Sequence, residues 1–237
     1  LLEYNLMAVY NRKTKTLEMT STKLKDIHPS QLEFNTTKSK QYKFMRKYVF
    51  KMLYIFLLIF SVKKNRVLFA TDSRSEMNGN FSFIYDEMRS MNLDIDYKFM
   101  LKNSIDERKS FTDIWNLAYW CATSKKIILD DFYPMIYPLR IRKSADLIQV
   151  WHAVGAFKTF GYSRIGRPGG PSIKSKNHRN YTKAVVSSKN VGRHYAEGFG
   201  IEEAETIVPI GAPRTDVFFD DVYKEAKRAE IYEEYPE

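Results

Sequence analysis

From residue 67 onward the chain repeats one pattern: a short apolar run, a break into small or polar residues, then a stretch with helical spacing. The runs are 67–70, ending at Thr71-Asp72-Ser73; 94–101; 126–129, ending at Asp130-Asp131; 147–151, ending at Trp151-His152; 184–186, ending at Ser187-Ser188; and 206–210, ending at Gly211. Residues 81–91 and 111–122 have helical spacing, and 133–142 reads as a turn or short helix broken by Pro134 and Pro138. Short, nearly continuous apolar runs are typical of strands buried on both faces, and such strands belong to parallel sheets flanked by helices. The alternation predicts an α/β fold, with a Rossmann-like parallel sheet over 66–221.

In a sheet of that kind ligands lie just past the carboxyl ends of the strands. The polar residues there are Asp72, Ser73, Asn80, Asp130, Asp131, His152, Lys158, Ser187, Ser188, Arg214 and Asp216. An imidazole at a strand end can take a proton near neutral pH, which makes His152 a candidate general base. Position alone also fits a packed ring with both nitrogens satisfied. Lys158, Arg164 and Arg167 share a loop with Gly155, Gly161, Gly166, Gly169 and Gly170. Cations on a flexible backbone suit phosphate, and a solvated basic loop fits equally well. Ser187 and Ser188 precede a helix at Lys189 and read as an N-cap or an anion site. Gly211-Ala212-Pro213-Arg214-Thr215-Asp216 is a tight turn into a helix, with Asp216 as a cap and Arg214 placed to clamp a phosphate. His28, His178 and His194 lack metal-ligand spacing, and neither a catalytic triad nor a dinucleotide fingerprint is present. Neither metal nor cofactor is expected.

The upstream part differs in composition. Net charge is +10, and residues 38–66 hold nine basic residues and no acidic one. Lys40, Lys43, Lys47 and Lys51 recur at three- and four-residue spacing, which stacks them on one helix face. The other positions, Phe56 among them, are largely apolar, and the neutral run 52–62 is well short of the roughly 20 residues a spanning helix needs. Over 38–65 this predicts an amphipathic helix lying in an anionic membrane surface; a core helix with a solvated lysine edge is the alternative. A nucleic-acid arm would be less apolar, so no nucleic-acid partner is expected. Residues 6–10 and 15–19 read as a hairpin, too small to stand alone. With a polar linker over 20–37, it is expected to close a β module upstream. The single Cys121 excludes an internal disulfide and suits a reducing compartment. The chain reads as a piece of a longer protein, with 222–237 leading toward a further lobe.

Three segments taken together, residues 148–158 through Trp151-His152, then Val186-Ser187-Ser188, then residues 210–216, resemble the teichoic-acid CDP-glycerol glycerophosphotransferase family. Asp130-Asp131-Phe132-Tyr133-Pro134 is similar to the segment that precedes the Trp-His strand there, whereas Ala153 stands where the family often has Gly. The resemblance implies the N-terminal, acceptor-side lobe of a two-lobed GT-B transferase, peripheral and monotopic on the cytoplasmic face of the bacterial membrane. It implies glycerol phosphate moving from CDP-glycerol to a lipid-linked polyol-phosphate acceptor, with His152 as acceptor-side base. Lys158, Arg164 and Arg214 would neutralise phosphate charge, and a missing C-terminal lobe would hold the CDP-polyol donor. CDP-ribitol as donor, another GT-B glycosyl transfer, and a non-catalytic membrane or polyanion-binding module stay open as rivals, as does a homo-oligomer.

Overall fold

The computed structural model describes residues 4–11, 16–23, 44–103, 109–166 and 170–236, those up to 23 and also 46 and 47 through the backbone alone. The chain divides into two units, Leu1–Phe44 and Met45–Glu237. In the first, β1 (Tyr4–Asn11) and β2 (Thr16–Lys23) form the expected antiparallel hairpin, with Tyr4 opposite Lys23 and Asn11 opposite Thr16. β2 extends into the segment read as linker; residues 24–37, Lys40 and Lys43 lie outside the described residues.

In the second unit a π-helical turn, Met45–Phe50, continues into α1 (Lys51–Leu57). The helix stops well short of residue 65: Leu58 to Phe60 bond back as turns, and β3 (Lys63–Thr71) has already begun by Lys63. There follow α2 (Asn80–Ser90), β4 (Asp96–Leu101), α3 (Phe111–Thr123), β5 (Ser124–Leu129) and β6 (Asp146–Gln149). The chain ends with β7 (Lys183–Val186), α4 (Lys189–Phe199), α5 (Glu203–Thr206), β8 (Ile207–Pro209) and α6 (Asp221–Glu234). β3 to β8 form one sheet in the order β4-β3-β5-β6-β7-β8, every pair parallel. The α/β reading therefore holds. Strand order reverses at β3, whose sequence neighbour β4 lies on one side and β5 on the other, so the crevice at their carboxyl ends is where such sheets bind ligands.

Sequence accounts for much of the packing. Val67, Leu68, Phe69 and Ala70 of β3, with Ile127, Ile128 and Leu129 of β5, are buried as central strands should be. α3 starts on a capping box, in which the Asp113 amide donates to Ser110 Oγ and the Ser110 amide to Asp113. Its buried stripe is Leu117, Ala118, Cys121 and Ala122. α1 packs against α3, burying Phe50, Tyr54 and Leu57, while Met52, Ile55, Phe56 and Ile59 stay exposed. Tyr54 donates to the Arg140 carbonyl at 3.0 Å, and Arg142 donates to those of Leu58 and Phe60. Residues 133–139 form successive turns rather than a helix, yet Tyr133, Met135, Ile136, Tyr137 and Leu139 are all buried. One glycine is required by contact: a Cβ on Gly161, at φ +50°, would stand 2.0 Å from the Gly198 carbonyl oxygen in α4. That close approach seats the basic loop on the helix.

Candidate active site

The strand expected to run through Trp151 ends at Gln149 instead. Trp151 takes φ +48°, the left-handed region that a bulky residue occupies only under strain, at a cost of order 1–3 kcal/mol. The turn that follows is held along its length by side chains. The Trp151 amide donates to Gln149 Oε1 at 2.8 Å, and its carbonyl accepts from Asn80 Nδ2. Arg214 Nη1 donates to the His152 carbonyl at 3.0 Å, Tyr195 to that of Ala153 at 2.6 Å, and Ser187 Oγ to that of Val154 at 2.5 Å. His152 stacks on the Trp151 ring at 4.5 Å between centroids and lines a cavity of about 590 Å³ with Gly79, Ser82, Arg214, Thr215 and Tyr223. Its side chain is 40 % exposed, so the ring is open to that cavity.

Asp72, Asp130 and Asp131 crowd the ends of β3 and β5, and each faces a different side chain. Lys109 lies 2.5 Å from Asp72 and over the Tyr133 ring, and Arg74 lies 2.5 Å from Asp130. Asp131 Oδ1 lies 3.3 Å from His152 Nδ1. Burial pushes the Asp130 carboxyl up, with the Asp131 charge adding to it and Arg74 opposing. Burial works the same way on Asp131, but contacts from His152, Ser73 Oγ at 2.6 Å and the Phe132 amide at 2.6 Å outweigh it. They hold this carboxyl down at about 2. Asp131 is thus an anion at any working pH, facing one nitrogen of an imidazole whose other nitrogen is left for a reacting group.

The structure brings together His152, Arg214 and, through the Val154 carbonyl, Ser187. Ser188 sits at the N-cap position of α4, but its side chain makes no capping bond. Lys158 lines a separate cavity of about 200 Å³ with Phe157, His194 and Glu197. Arg164 ends the helical turn Gly161–Arg164, and Asp216 lies in a 3₁₀ segment, Pro213–Phe219, beside a more apolar cavity of about 390 Å³. Neither lines the His152 cavity. The helix cap expected at Asp216 falls to Asp220, which accepts from the Tyr223 amide at 2.9 Å. Of the membrane set, Lys51 is exposed on α1 with Phe56, and Lys47 is described by backbone only. Among the described residues no cluster of potential metal ligands occurs. Asp131 had a strand-end position but no assigned role; Gln149, inside its strand, carried no sequence signal at all.

Comparison with known proteins places this geometry. A family model for CDP-glycerol:poly(glycerophosphate) glycerophosphotransferase matches residues 52–236. The chain belongs to that family. Over its whole length it is 51% identical to the teichoic acid poly(ribitol-phosphate) polymerase of Bacillus spizizenii (strain ATCC 23059 / NRRL B-14472 / W23), of which it spans 38%. It is 48% identical over 81% of its length to the teichoic acid ribitol-phosphate polymerase TarL of Staphylococcus aureus (strain NCTC 8325 / PS 47), spanning 34% of that protein. The wall teichoic acid polymerase TagF, solved as its H548A variant, shares the fold at a TM-score of 0.59 and 14% identity, over 83% of this chain and 51% of TagF. The chain thus covers well under two thirds of the length of these relatives.

Proposed function

We propose that this chain forms the acceptor side of an enzyme that moves a polyol phosphate from a CDP-activated donor to the hydroxyl end of a lipid-linked teichoic acid, releasing CMP. The observation that carries the reading is His152, 3.3 Å from Asp131 and lining a cavity with Arg214 at the carboxyl edge of the sheet. The acceptor hydroxyl attacks the β-phosphorus of the CDP-polyol, an oxygen–phosphorus bond forms, the bond to the α-phosphate oxygen breaks, and CMP departs. His152 Nε2 takes the hydroxyl proton while Asp131 holds the ring through Nδ1. Phosphoryl transfer relies mainly on alignment and charge neutralisation, a use for Arg214. The reaction needs no cofactor besides the CDP-polyol, whose nucleotide falls to a second lobe in a GT-B arrangement.

The transferred unit is ribitol phosphate in this reading, in place of the glycerol phosphate that the family resemblance pointed to. Supporting it, the relatives at 51% and 48% identity are ribitol-phosphate polymerases, whereas a glycerol-phosphate primase of Bacillus spizizenii (strain ATCC 23059 / NRRL B-14472 / W23) matches at 26% over 149 residues. The exposed stripe Met52, Ile55, Phe56 and Ile59 supports a peripheral position on the cytoplasmic membrane face. Among the described residues no helix is long and apolar enough to cross a membrane. The test is CMP release by the full-length protein with a lipid-linked acceptor and either CDP-ribitol or CDP-glycerol. Release with CDP-ribitol that His152→Ala abolishes is expected. Release with CDP-glycerol alone overturns the ribitol assignment, and full activity in His152→Ala overturns the role of the imidazole.

A further inference from the structure

Asn80 is 2 % exposed, and both ends of its amide are used. Gly79, at φ +61°, turns the chain from the end of β3 into α2, which puts Asn80 at the first helical position beneath the carboxyl edge of the sheet. Its Nδ2 donates to the Trp151 carbonyl and lies 3.3 Å from that of Val150, while its Oδ1 accepts from the Arg214 amide at 3.0 Å. Across the same Trp151 residue, Gln149 is fully buried. Its Oε1 accepts from the Trp151 amide, and its Nε2 donates to the Asp131 carbonyl at 3.0 Å and to Tyr181 Oη at 2.8 Å. Left-handed backbone at a tryptophan persists only where the surroundings over-determine it. Here one buried amide holds its N–H side and another its C=O side. The same two amides reach the backbones that carry Asp131 and Arg214.

We propose that Asn80 and Gln149 are positioning residues that clamp Trp151 in its strained conformation and thereby set His152 in register with Asp131 and Arg214. The inference rests on the reading of His152 as the acceptor-side base. Neither amide touches the cavity: both work through the backbone. Slack in the clamp lets the turn relax and moves the imidazole, and misplacement by about 1 Å is enough for a loss near 10²-fold.

The experiment is steady-state kinetics of the full-length protein carrying Asn80→Ala, Asn80→Ser or His152→Ala, with CDP-ribitol and CDP-glycerol each tested as donor. Asn80→Ser keeps a hydroxyl donor near the Trp151 carbonyl and serves as the folded comparison if the alanine variant unfolds. Asn80→Ala is expected to lower kcat about 10–10²-fold with the donor KM within about twofold, and Asn80→Ser to recover part of that loss. A second readout is Trp151 emission, taken as the difference between each full-length protein and its Trp151→Phe counterpart; the stacked His152 and the edge-on His178 are the nearby imidazole quenchers. Loosening the clamp is expected to raise that emission; a merely structural role leaves it unchanged in folded protein. Wild-type kcat and emission in Asn80→Ala, or in Asn80→Ser should the alanine protein not fold, overturn the clamp while a dead His152→Ala protein leaves the base assignment standing. Full activity in His152→Ala overturns that assignment and the clamp's catalytic purpose together.

Discussion

Asp131 and its neighbours show how one residue's chemistry is set by the partners of the residues beside it. Asp72 and Asp130 are neutralised by Lys109 and Arg74, so Asp131 is the carboxylate of the three that is left to the imidazole. Its carboxyl, held at about 2 by the nearby His152 and by hydrogen bonds from Ser73 Oγ and the Phe132 amide against the effect of burial, carries charge throughout the range in which a histidine can act as base. Asp131→Asn keeps the shape but presents a neutral amide to His152 Nδ1. By analogy with carboxylate–histidine pairs generally, kcat is expected to fall roughly 10²–10⁴-fold with little change in donor KM. Steady-state CMP release measures both, and an unchanged kcat would remove Asp131 from the mechanism.

α1 is the element whose two faces pull in different directions. Tyr54 and Leu57, with Phe50 of the preceding turn, are buried, as a core helix requires, while Met52, Ile55 and Phe56, with Ile59 in the turn that follows, lie exposed. The buried face fits the core-helix reading of the lysine-flanked segment, and the exposed stripe is where the membrane reading is tested. Phe56 and Ile59 are 61 % and 71 % exposed, so Phe56→Ser with Ile59→Ser should leave the fold intact. Each large apolar side chain brings about 1.5–3 kcal/mol when fully buried. Losing two is expected to weaken binding to vesicles containing anionic lipid by at least tenfold, as read by flotation, with the melting temperature nearly unmoved. Binding equal to wild type would count against the in-plane anchor. Strand types along 67–210 were legible because period and run length are local properties, whereas 63–65, expected to be helix, open β3. Their ends were less so: β3 begins at Lys63, where an exposed, charged start pairs with Ser124 of β5 ahead of a register shift, and β6 ends at Gln149 because the Trp151 backbone turns left-handed.

For the molecule as a whole, one pH-dependent contribution to stability comes from a buried ring outside the cavity. His178, at φ +65°, is packed among Tyr137, Tyr181, Trp151 and Phe199, with Nδ1 bonded to Tyr181 Oη at 2.8 Å. Burial pulls its pKa down from 6.5 to about 4, with Asp131 opposing. The unfolded chain therefore takes up this proton first as pH falls. The contribution to stability is whole above pH 6.5 and is lost progressively down through about pH 4, a change of about 3 kcal/mol. His178→Asn, a residue that tolerates left-handed backbone, is expected to be less stable overall and to lack that slope. Urea unfolding at half-unit steps between pH 7 and pH 4 measures it; an unchanged slope would assign the effect elsewhere.

The sequence alone determined the alternation of strand and helix, the parallel sheet and the strand-end position of His152, because each is carried by neighbouring residues within a few turns of chain. It also marked the basic, apolar segment before the sheet. Only the tertiary structure decided which cation each carboxylate meets, that Arg214 joins His152 while Lys158 lines another cavity, and that Asn80 and Gln149 grip Trp151 from both sides. Those contacts join residues as far apart as Asn80 and Arg214. Strand order and the course of the loops bring them together, and no local pattern encodes either.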